Sequence, residues 1–182
     1  MNADKPSANK LAPRLRAIAI LAGLLPLLAQ PAPMYSVTGL GLEGSYSNPG
    51  LNNAGQVTGT VSKANGQDRA FVFEHGVRTE IGTLGGTYSS ARDINASGHV
   101  AGRSTTVDGK LHAFVYGNGV MTDLGTLGGE LSYANAINAS GQVVGYSNVT
   151  SSVQRAFLYE DGVMTAIGTF GGTHSYAFDI ND

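Results

Sequence analysis

An Ala-Phe pair begins at Ala70, returns at Ala113 and returns again at Ala156, each time after 43 residues and without an insertion. Aligning residues 70–112 with residues 113–155 gives 21 identical positions, most of them Gly, Asn or apolar. Such residues meet the needs of turns and cores, whereas catalytic sites need unique reactive groups. The repeat therefore constrains the architecture of this chain more strongly than its activity.

Each 43-residue unit contains four short segments with the alternating pattern of β-strands. They are rich in Val, Tyr, Phe and Ile, and they are separated by Gly-rich and Asn-Ala-Ser-Gly sequences that favour turns. After Pro33 no segment has the i, i+3, i+4 spacing of an amphipathic helix. The predicted strands of one unit are residues 113–116, 120–124, 133–137 and 142–146.

These patterns predict an all-β fold of four-stranded antiparallel repeats, as in a β-propeller. Phe114 and Tyr116 share one face of their strand, and Ala113 and Val115 share the other, so both faces are apolar. A small sheet of this kind must be covered by neighbours on both sides, and the repeat length is typical of propeller blades. The alternative is a β-trefoil. We favour the propeller because the array begins within a unit, whereas trefoil repeats tend to start and end in phase.

The N-terminal segment differs in composition from the rest of the chain. Residues 1–32 combine four basic residues, an apolar stretch and a small, Pro-rich end, which is the layout of a secretory signal peptide. The apolar stretch is shorter than the roughly 20 residues that span a bilayer, so we expect no stable membrane span after processing between Ala29 and Ala32. The protein is predicted to be secreted, periplasmic or on the cell surface. The predicted repeat domain is 33–182, about three and a half repeats at residues 40–69, 70–112, 113–155 and 156–182.

Incomplete units at both ends of the repeat domain affect how the array could close. The unit at 40–69 supplies only its third and fourth strands, and the unit at 156–182 supplies two strands and the start of a third. Pairing these ends would give three blades, whereas closed propellers use about four to eight. We therefore expect either a fragment of a longer array or self-association of several chains.

Composition excludes several classes of function. Removing residues 1–32 leaves seven basic and twelve acidic residues without a basic cluster, so no nucleic-acid partner is expected. There is no cysteine, which excludes disulfides and thiolate metal sites. The positions that vary between units contain no Ser/His/Asp set and no carboxylate pair. We predict no catalytic residues, no cofactor-binding residues and no enzymatic activity.

Three strings of the repeat form a distinctive set: His-Ala-Phe at 112–114, Leu-Gly-Thr-Leu-Gly-Gly at 124–129 and the sequence from Ala-Ile-Asn to Gly-Tyr-Ser at 136–147. Together they resemble the bacterial extracellular HAF repeat family. The resemblance covers nearly all of residues 39–182, although Arg69 and Arg155 replace the histidine in the other copies. It implies an exported bacterial protein. It implies no catalytic activity, because the motif of the family is structural.

One turn contains a weak candidate for calcium binding. Asp93, Asn95 and Ser97 place oxygen atoms at alternate positions before Gly98, as at the start of a calcium loop. The next copy has Ala136 at the first of these positions, and no copy has the Glu that such a loop carries at its end. A hairpin turn explains every copy. We therefore predict no metal site, with calcium at these three residues as the alternative.

Three hypotheses of function follow from the sequence. The leading one is an exported, non-catalytic binding or surface-structural module, whose unknown extracellular ligand, a protein or a glycan, contacts the variable segments 105–111 and 148–154. The first alternative is a carbohydrate-binding lectin that uses Tyr88, Tyr133 and Tyr176 for stacking, since the chain has no Trp. The second alternative is a hydrolase on a propeller scaffold.

Overall fold

The structure is a computed structural model that describes residues 50–182, and in this range the chain is built from β-strands and turns. The prediction of an all-β fold is therefore confirmed. The predicted signal peptide, residues 1–32, lies outside the described residues. A helix long and apolar enough to cross a membrane is not found among residues 50–182.

Twelve strands form three four-stranded antiparallel sheets in the described part of the chain, each a simple up-and-down meander. The first sheet contains β1 (Gly50–Leu51), β2 (Val57–Ser62), β3 (Asp68–Glu74) and β4 (Val77–Glu80). The second sheet contains β5 (Gly85–Ile94), β6 (Val100–Thr106), β7 (Leu111–Gly117) and β8 (Val120–Asp123). The third sheet contains β9 (Ser132–Ile137), β10 (Val143–Thr150), β11 (Val153–Glu160) and β12 (Val163–Ala166).

The last two strands of each sheet are joined by a two-residue turn whose backbone requires special residues. In the second sheet Asn118 and Gly119 have φ values of 53° and 81°, so both lie in the left-handed region. Two successive residues of this kind make a type I′ turn, whose twist matches that of the flanking strands. The same geometry occurs at His75-Gly76 and Asp161-Gly162. The repeat therefore carries the turn chemistry that fixes the register of each hairpin.

Two hydrophobic clusters lie between consecutive sheets, and we call these interfaces the first seam and the second seam. The first seam packs residues of the first and second sheets around Phe114, and Tyr116 packs against it. The second seam packs residues of the second and third sheets around Phe157, and it includes Ala113, with Val115 packed against it. The second sheet is thus covered on both faces, as its alternating apolar pattern predicts. Separate stacked sheets favour a propeller-type arrangement over a β-trefoil.

Each sheet spans two of the 43-residue units read from the sequence. The strands predicted as third and fourth in one unit share a sheet with the first and second strands of the next unit. In the first sheet β2 pairs with β3 across the unit boundary, so β1 and β2 lie in one sheet with β3 and β4. The N-terminal strand pair therefore completes the first sheet. Residues 175–182, predicted to begin a further strand, form hydrogen bonds to the third sheet from the amides of Ser175 and Ala177.

Candidate functional site

Three serines at equivalent positions each link the third strand of a sheet to the segment of the chain that follows that sheet. The hydroxyl oxygen of Ser132 accepts a hydrogen bond from the Ala113 amide at 2.8 Å, and the hydroxyl donates to the Gly125 carbonyl at 2.5 Å. Ser132 is fully buried, where an unmade hydrogen bond costs about 1–3 kcal/mol. The amide-to-serine bond recurs from Ala70 to Ser89 at 3.0 Å and from Ala156 to Ser175 at 2.9 Å.

A series of asparagine side chains links the hairpin turns of consecutive units. The Nδ2 group of Asn52 donates to the carbonyl oxygen of Asn95 at 2.9 Å, and Nδ2 of Asn95 donates to the carbonyl oxygen of Asn138 at 3.0 Å. Asn138 repeats this contact with the carbonyl oxygen of Asn181 at 3.2 Å. Each unit is therefore bonded to the next through the same pair of atoms.

Two of the three candidate calcium ligands already accept hydrogen bonds from the main chain. Oδ1 of Asn95 accepts bonds from the amides of Ser97 and His99 at 3.0 and 2.9 Å. Asp93 accepts one across the second seam from the amide of Ile137 at 2.9 Å. Within residues 50–182 no group of three or more His, Asp or Glu side chains could hold a metal ion. These contacts fit the hairpin-turn interpretation, and calcium binding stays a prediction.

At each successive interface two residues at equivalent positions face each other, and their chemistry differs from one interface to the next. We call the residues at these positions the seam row. In the first seam the hydroxyls of Thr60 and Ser90 are 2.9 Å apart. In the second seam the guanidinium carbon of Arg103 lies 4.9 Å from the centroid of the Tyr133 ring. Beyond the third sheet the rings of Tyr146 and Tyr176 lie nearly perpendicular, with centroids 5.1 Å apart and planes 78° apart. The seam row comprises Thr60, Ser90, Arg103, Tyr133, Tyr146 and Tyr176.

The part of the seam row at the second and third sheets forms a continuous aromatic and cationic cluster. Arg103 donates hydrogen bonds from Nε and Nη2 to the Tyr88 hydroxyl at 3.3 and 3.2 Å. The rings of Tyr133 and Tyr146 stack with centroids 4.7 Å apart and planes 13° apart. Two of the three tyrosines proposed as sugar-stacking residues, Tyr88 and Tyr133, thus contact the same arginine.

The position of Tyr146 within this cluster changes its acidity. Burial raises the pKa of Tyr146, because the phenolate loses hydration, and the nearby Tyr133 adds to the effect. Arg103 and Arg92 act in the opposite direction but do not reverse it. The phenol of Tyr146 therefore stays neutral to higher pH than an ordinary tyrosine does.

A pocket of about 410 Å³ opens beside the first seam. Val72 and Ile81 form part of its apolar lining, and Tyr116 contributes an aromatic ring from the second sheet. Glu74 and His75 also line the pocket, and they lie beside the turn between β3 and β4. The pocket thus combines an aromatic ring with hydrogen-bonding groups, which is the usual composition of a small-molecule site.

A second hollow, of about 560 Å³, lies over the third sheet. Its lining includes Ile167, Phe170, His174 and Tyr176. Phe170 is fully exposed, and the exposed fraction of Tyr176 is 45 %. Apolar side chains form much of the lining of this hollow.

His112 and Asp123 form an imidazole–carboxylate pair at hydrogen-bond distance, whereas the exposed His75 lies 3.7 Å from Glu74. The Nδ1 atom of His112 lies 2.8 Å from Oδ2 of Asp123, and the same carboxylate accepts a hydrogen bond from the Gly125 amide. No serine or threonine hydroxyl hydrogen-bonds to His112 in this part of the chain. The pair joins β7 to the end of β8, and its geometry is that of a structural contact within one sheet.

The variable segments predicted to contact a ligand are short hairpin connections. Within 105–111 the Thr106 hydroxyl donates to the Asp108 carboxylate at 2.5 Å, and this bond is the main cause of a lowered pKa of Asp108. Lys110 lies 3.4 Å from the same carboxylate. Most of 148–154 belongs to strands β10 and β11. These segments offer less loop surface than the sequence predicted.

Comparison with known proteins supports the fold. No protein-family model matches the chain, and no curated protein is similar to it. Among solved structures the chain is similar to TolB from Acinetobacter baumannii, a β-propeller, with a TM-score of 0.53 and 18 % identity. The match covers 69 % of this chain and 32 % of TolB, so the chain spans about a third of that protein. This similarity shows a propeller-like fold.

Sequence reasoning named two members of the seam row, Tyr133 and Tyr176, as stacking candidates but missed the row itself, although the repeat contains the signal for it. Thr60, Arg103 and Tyr146 are 43 residues apart, and the residues that they contact across the seams have the same spacing. Alignment by identity passes over these positions because they differ. A search for equivalent positions that change in chemistry, next to glycines that do not, would have found them.

Proposed function

We infer that this chain is an exported, non-catalytic, propeller-like repeat protein that acts as a binding or surface-structural module. The proposal rests on one contrast: the hydrogen bonds that join the units are the same throughout, whereas the side-chain contacts of the seam row differ from seam to seam. The serine and asparagine bonds recur in every unit, whereas the seam row is neutral in the first seam and cationic and aromatic in the second. A scaffold that keeps its frame and varies its side chains suits recognition or assembly.

The described polar groups support a role without catalysis. Every buried side-chain nitrogen or oxygen in the described residues has a hydrogen-bond partner. Asp93 and Asn95, two of the candidate calcium ligands, accept hydrogen bonds from main-chain amides, as do Ser89, Ser132 and Ser175, and His112 bonds to a carboxylate. A nucleophile activated by a base needs a hydrogen bond between the two groups, and the His112 pair has no such hydroxyl.

Export and membership of the HAF repeat family belong to the same proposal. They rest on the charge and apolar pattern of residues 1–32 and on the repeated motif strings. Cell fractionation with determination of the mature N-terminus tests export. We expect the protein outside the cytoplasm with a new N-terminus after a residue between Ala29 and Ala32. Retention of the intact chain in the cytoplasm would contradict the proposal.

A screen with ester and glycoside substrates tests the absence of catalysis. We expect no turnover by the purified protein. If turnover occurs, His112→Ala and Asp123→Asn should be compared with His75→Ala, which removes an exposed imidazole. Loss of turnover in the first two variants alone would identify the His112 pair as catalytic and would replace the present proposal with the hydrolase.

A lectin is the second candidate function, and the pocket beside the first seam is the observation that favours it. Tyr116 supplies a ring for stacking, while Glu74 and Gln56 supply hydrogen-bonding groups of the kind that bind sugar hydroxyls. A glycan array of the wild-type protein and Glu74→Ala tests this candidate. Glu160→Ala is the matched control, since Glu160 occupies the equivalent position in the third sheet. No binding by the wild type would exclude the lectin.

A further inference from the structure

Two polar residues of the pocket beside the first seam occupy positions that differ from sheet to sheet. Gln56 and Glu74 both line this pocket. At the 43-residue spacing, the equivalent pairs are His99 with Gly117 in the second sheet and Gln142 with Glu160 in the third. One pair of positions therefore carries three different arrangements of polar groups.

The second and third sheets leave no unpaired carboxylate at these positions. In the third sheet Nε2 of Gln142 donates a hydrogen bond to Oε1 of Glu160 at 2.6 Å. In the second sheet Gly117 offers no carboxylate, and the ring of His99 packs against it. A Cβ atom on Gly117 would lie 2.6 Å from Cδ2 of His99.

The first sheet keeps both residues but holds them apart. Oε1 of Gln56 accepts a hydrogen bond from Nδ2 of Asn52 at 2.6 Å, and Nε2 of Gln56 would lie 3.2 Å from a Cβ atom on Gly98 in the facing turn. Among residues 50–182 Nε2 of Gln56 donates no hydrogen bond to Glu74 or to another acceptor. Nδ1 of His75 lies 3.7 Å from Oε1 of Glu74, which is beyond hydrogen-bond distance. An amide N–H and a carboxylate at this pocket are thus available to a ligand.

The apolar part of the pocket is common to both seams. Val72 and Tyr116 pack against the first seam, and their equivalents Val115 and Tyr159 pack against the second. The pocket lies toward the β3–β4 edge of the first sheet, which is opposite the edge formed by β1. The amide and the carboxylate are therefore what distinguish the first seam from the second.

The charge of the lining restricts which ligands could bind. Glu74 supplies a carboxylate, and none of the described residues that line the pocket is Lys or Arg. Arg78 lies between Val77 and Thr79 on β4, and because these two neighbours line the pocket, alternation places Arg78 on the other face. A carboxylate close to an aromatic ring favours a protonated amine, through a charge-assisted hydrogen bond and a cation–π contact. Anionic ligands would be repelled.

We propose that this pocket binds an amino sugar of a glycan, with its protonated amine on Glu74 and its ring against Tyr116. A sugar hydroxyl accepts the hydrogen bond that Nε2 of Gln56 can donate. A lysine side chain of a protein partner would also bring an amine, but its stem carries no acceptor for Gln56. The volume of about 410 Å³ lies in the range of small-molecule sites. The proposal rests on the lectin candidate and adds the class of sugar.

Titration with D-glucosamine, followed by nuclear magnetic resonance in a buffer that keeps the amine protonated, tests the proposal. We expect N-acetylglucosamine and glucose to bind more weakly, because both are neutral at the same ring carbon. Glu74→Gln keeps the size of the side chain and removes its charge, so it should weaken glucosamine binding about tenfold and leave glucose binding unchanged. Glu160→Gln is the matched control and should leave both affinities unchanged, since Glu160 already pairs with Gln142.

The second seam should gain a site when it receives the same polar pair. A double variant, His99→Gln with Gly117→Glu, brings an amide and a carboxylate beside Tyr159, and removal of the imidazole makes room for the new side chain. Glucosamine should shift the signals of Tyr116 alone in the wild type and those of Tyr116 and Tyr159 in the double variant. A folded double variant in which Tyr159 does not respond would overturn the proposal.

The outcomes separate this inference from the lectin candidate. Equal affinities for the three sugars, or an unchanged affinity of Glu74→Gln for glucosamine, would overturn the amino-sugar assignment and leave a lectin standing. Tighter binding of N-acetyl-lysine amide than of glucosamine would overturn it in favour of a protein partner. If the wild type binds none of the sugars, the proposal fails together with the lectin, and the non-catalytic binding or surface-structural module remains.

Discussion

Among the described residues, only one face of the third sheet is covered by a complete neighbouring sheet, and the two faces differ accordingly in burial. On the face toward the second sheet, Phe157 is fully buried within the second seam. On the other face Ile167 is 44 % exposed, although the equivalent side chain in the second sheet is enclosed. The same position of the repeat is therefore a core position or a surface position according to what stands beside it. The burial of a side chain in this protein therefore depends on whether a neighbouring sheet stacks over it, and is not fixed by the position of the residue within its own sheet.

The largest contrast is expected between two phenylalanines. Phe114 is fully buried in the first seam, so Phe114→Ala should reduce the free energy of unfolding by about 3–5 kcal/mol through lost burial and a cavity. Phe170→Ala should change it by less than about 0.5 kcal/mol at concentrations where the chain is a monomer. Urea denaturation followed by circular dichroism measures both. Similar losses in the two variants would show that the open face is already covered within one chain.

A pair of glycines sharpens the same contrast. A Cβ atom on Gly102 would lie 2.2 Å from the carbonyl oxygen of Ser90 and 2.9 Å from the Phe114 ring, so the adjacent strand would have to move. Gly102→Ala should destabilise by about 3 kcal/mol, the upper end of the usual cost of overpacking. A Cβ on Gly168 would meet nothing within 4 Å, so Gly168→Ala should leave stability unchanged. Thermal melting compares them, and a tolerated Gly102→Ala would mean that β5 and β6 are less closely paired than described.

The sequence predicts the fold to the extent that each unit repeats the same alternation of side chains between the two faces of a strand. Phe114 and Ala113 alternate between faces, and the structure places them in different seams as the pattern predicts. Which strands of neighbouring units share a sheet was harder to predict from the sequence. Strand order within a continuous meander has no natural starting point, so the sequence could not show that β2 pairs with β3 across a unit boundary.

The asparagines of the turns give the next contrast. Asn95 is buried and makes three side-chain hydrogen bonds, two to main-chain amides and one across the second seam. Asn95→Ala should therefore cost about 1–3 kcal/mol, because buried partners lose their bonds. Asn181 is exposed and contributes its carbonyl oxygen, which substitution leaves in place. Asn181→Ala should be neutral in urea denaturation. An equally small effect of Asn95→Ala would show that these three side-chain hydrogen bonds contribute little to stability.

The candidate site was harder to predict than the fold for a physical reason. Asp93 has the spacing of a calcium ligand, yet its carboxylate accepts a main-chain hydrogen bond across the second seam. Such a contact joins residues 44 positions apart and is visible only when the sheets are stacked. Arg103 and Tyr133 likewise come together only across a seam. Sequence patterns report local geometry, whereas both sites depend on neighbouring units.

The smallest expected effect concerns the ionisation of Tyr146, whose ring stacks on that of Tyr133. Burial raises the pKa of Tyr146 above the ordinary value of 10.0, so the unfolded chain releases this proton at lower pH than the folded chain. The contribution of the neutral phenol to stability is therefore complete below pH 10.0 and is lost as the pH rises through the folded-state pKa. Tyr146→Phe should weaken the alkaline decline in unfolding free energy, while Tyr176→Phe, on an exposed ring, should not. Ultraviolet titration of tyrosinate locates the group directly, and a Tyr146 that ionises together with exposed tyrosines would show that the stack with Tyr133 is open to water.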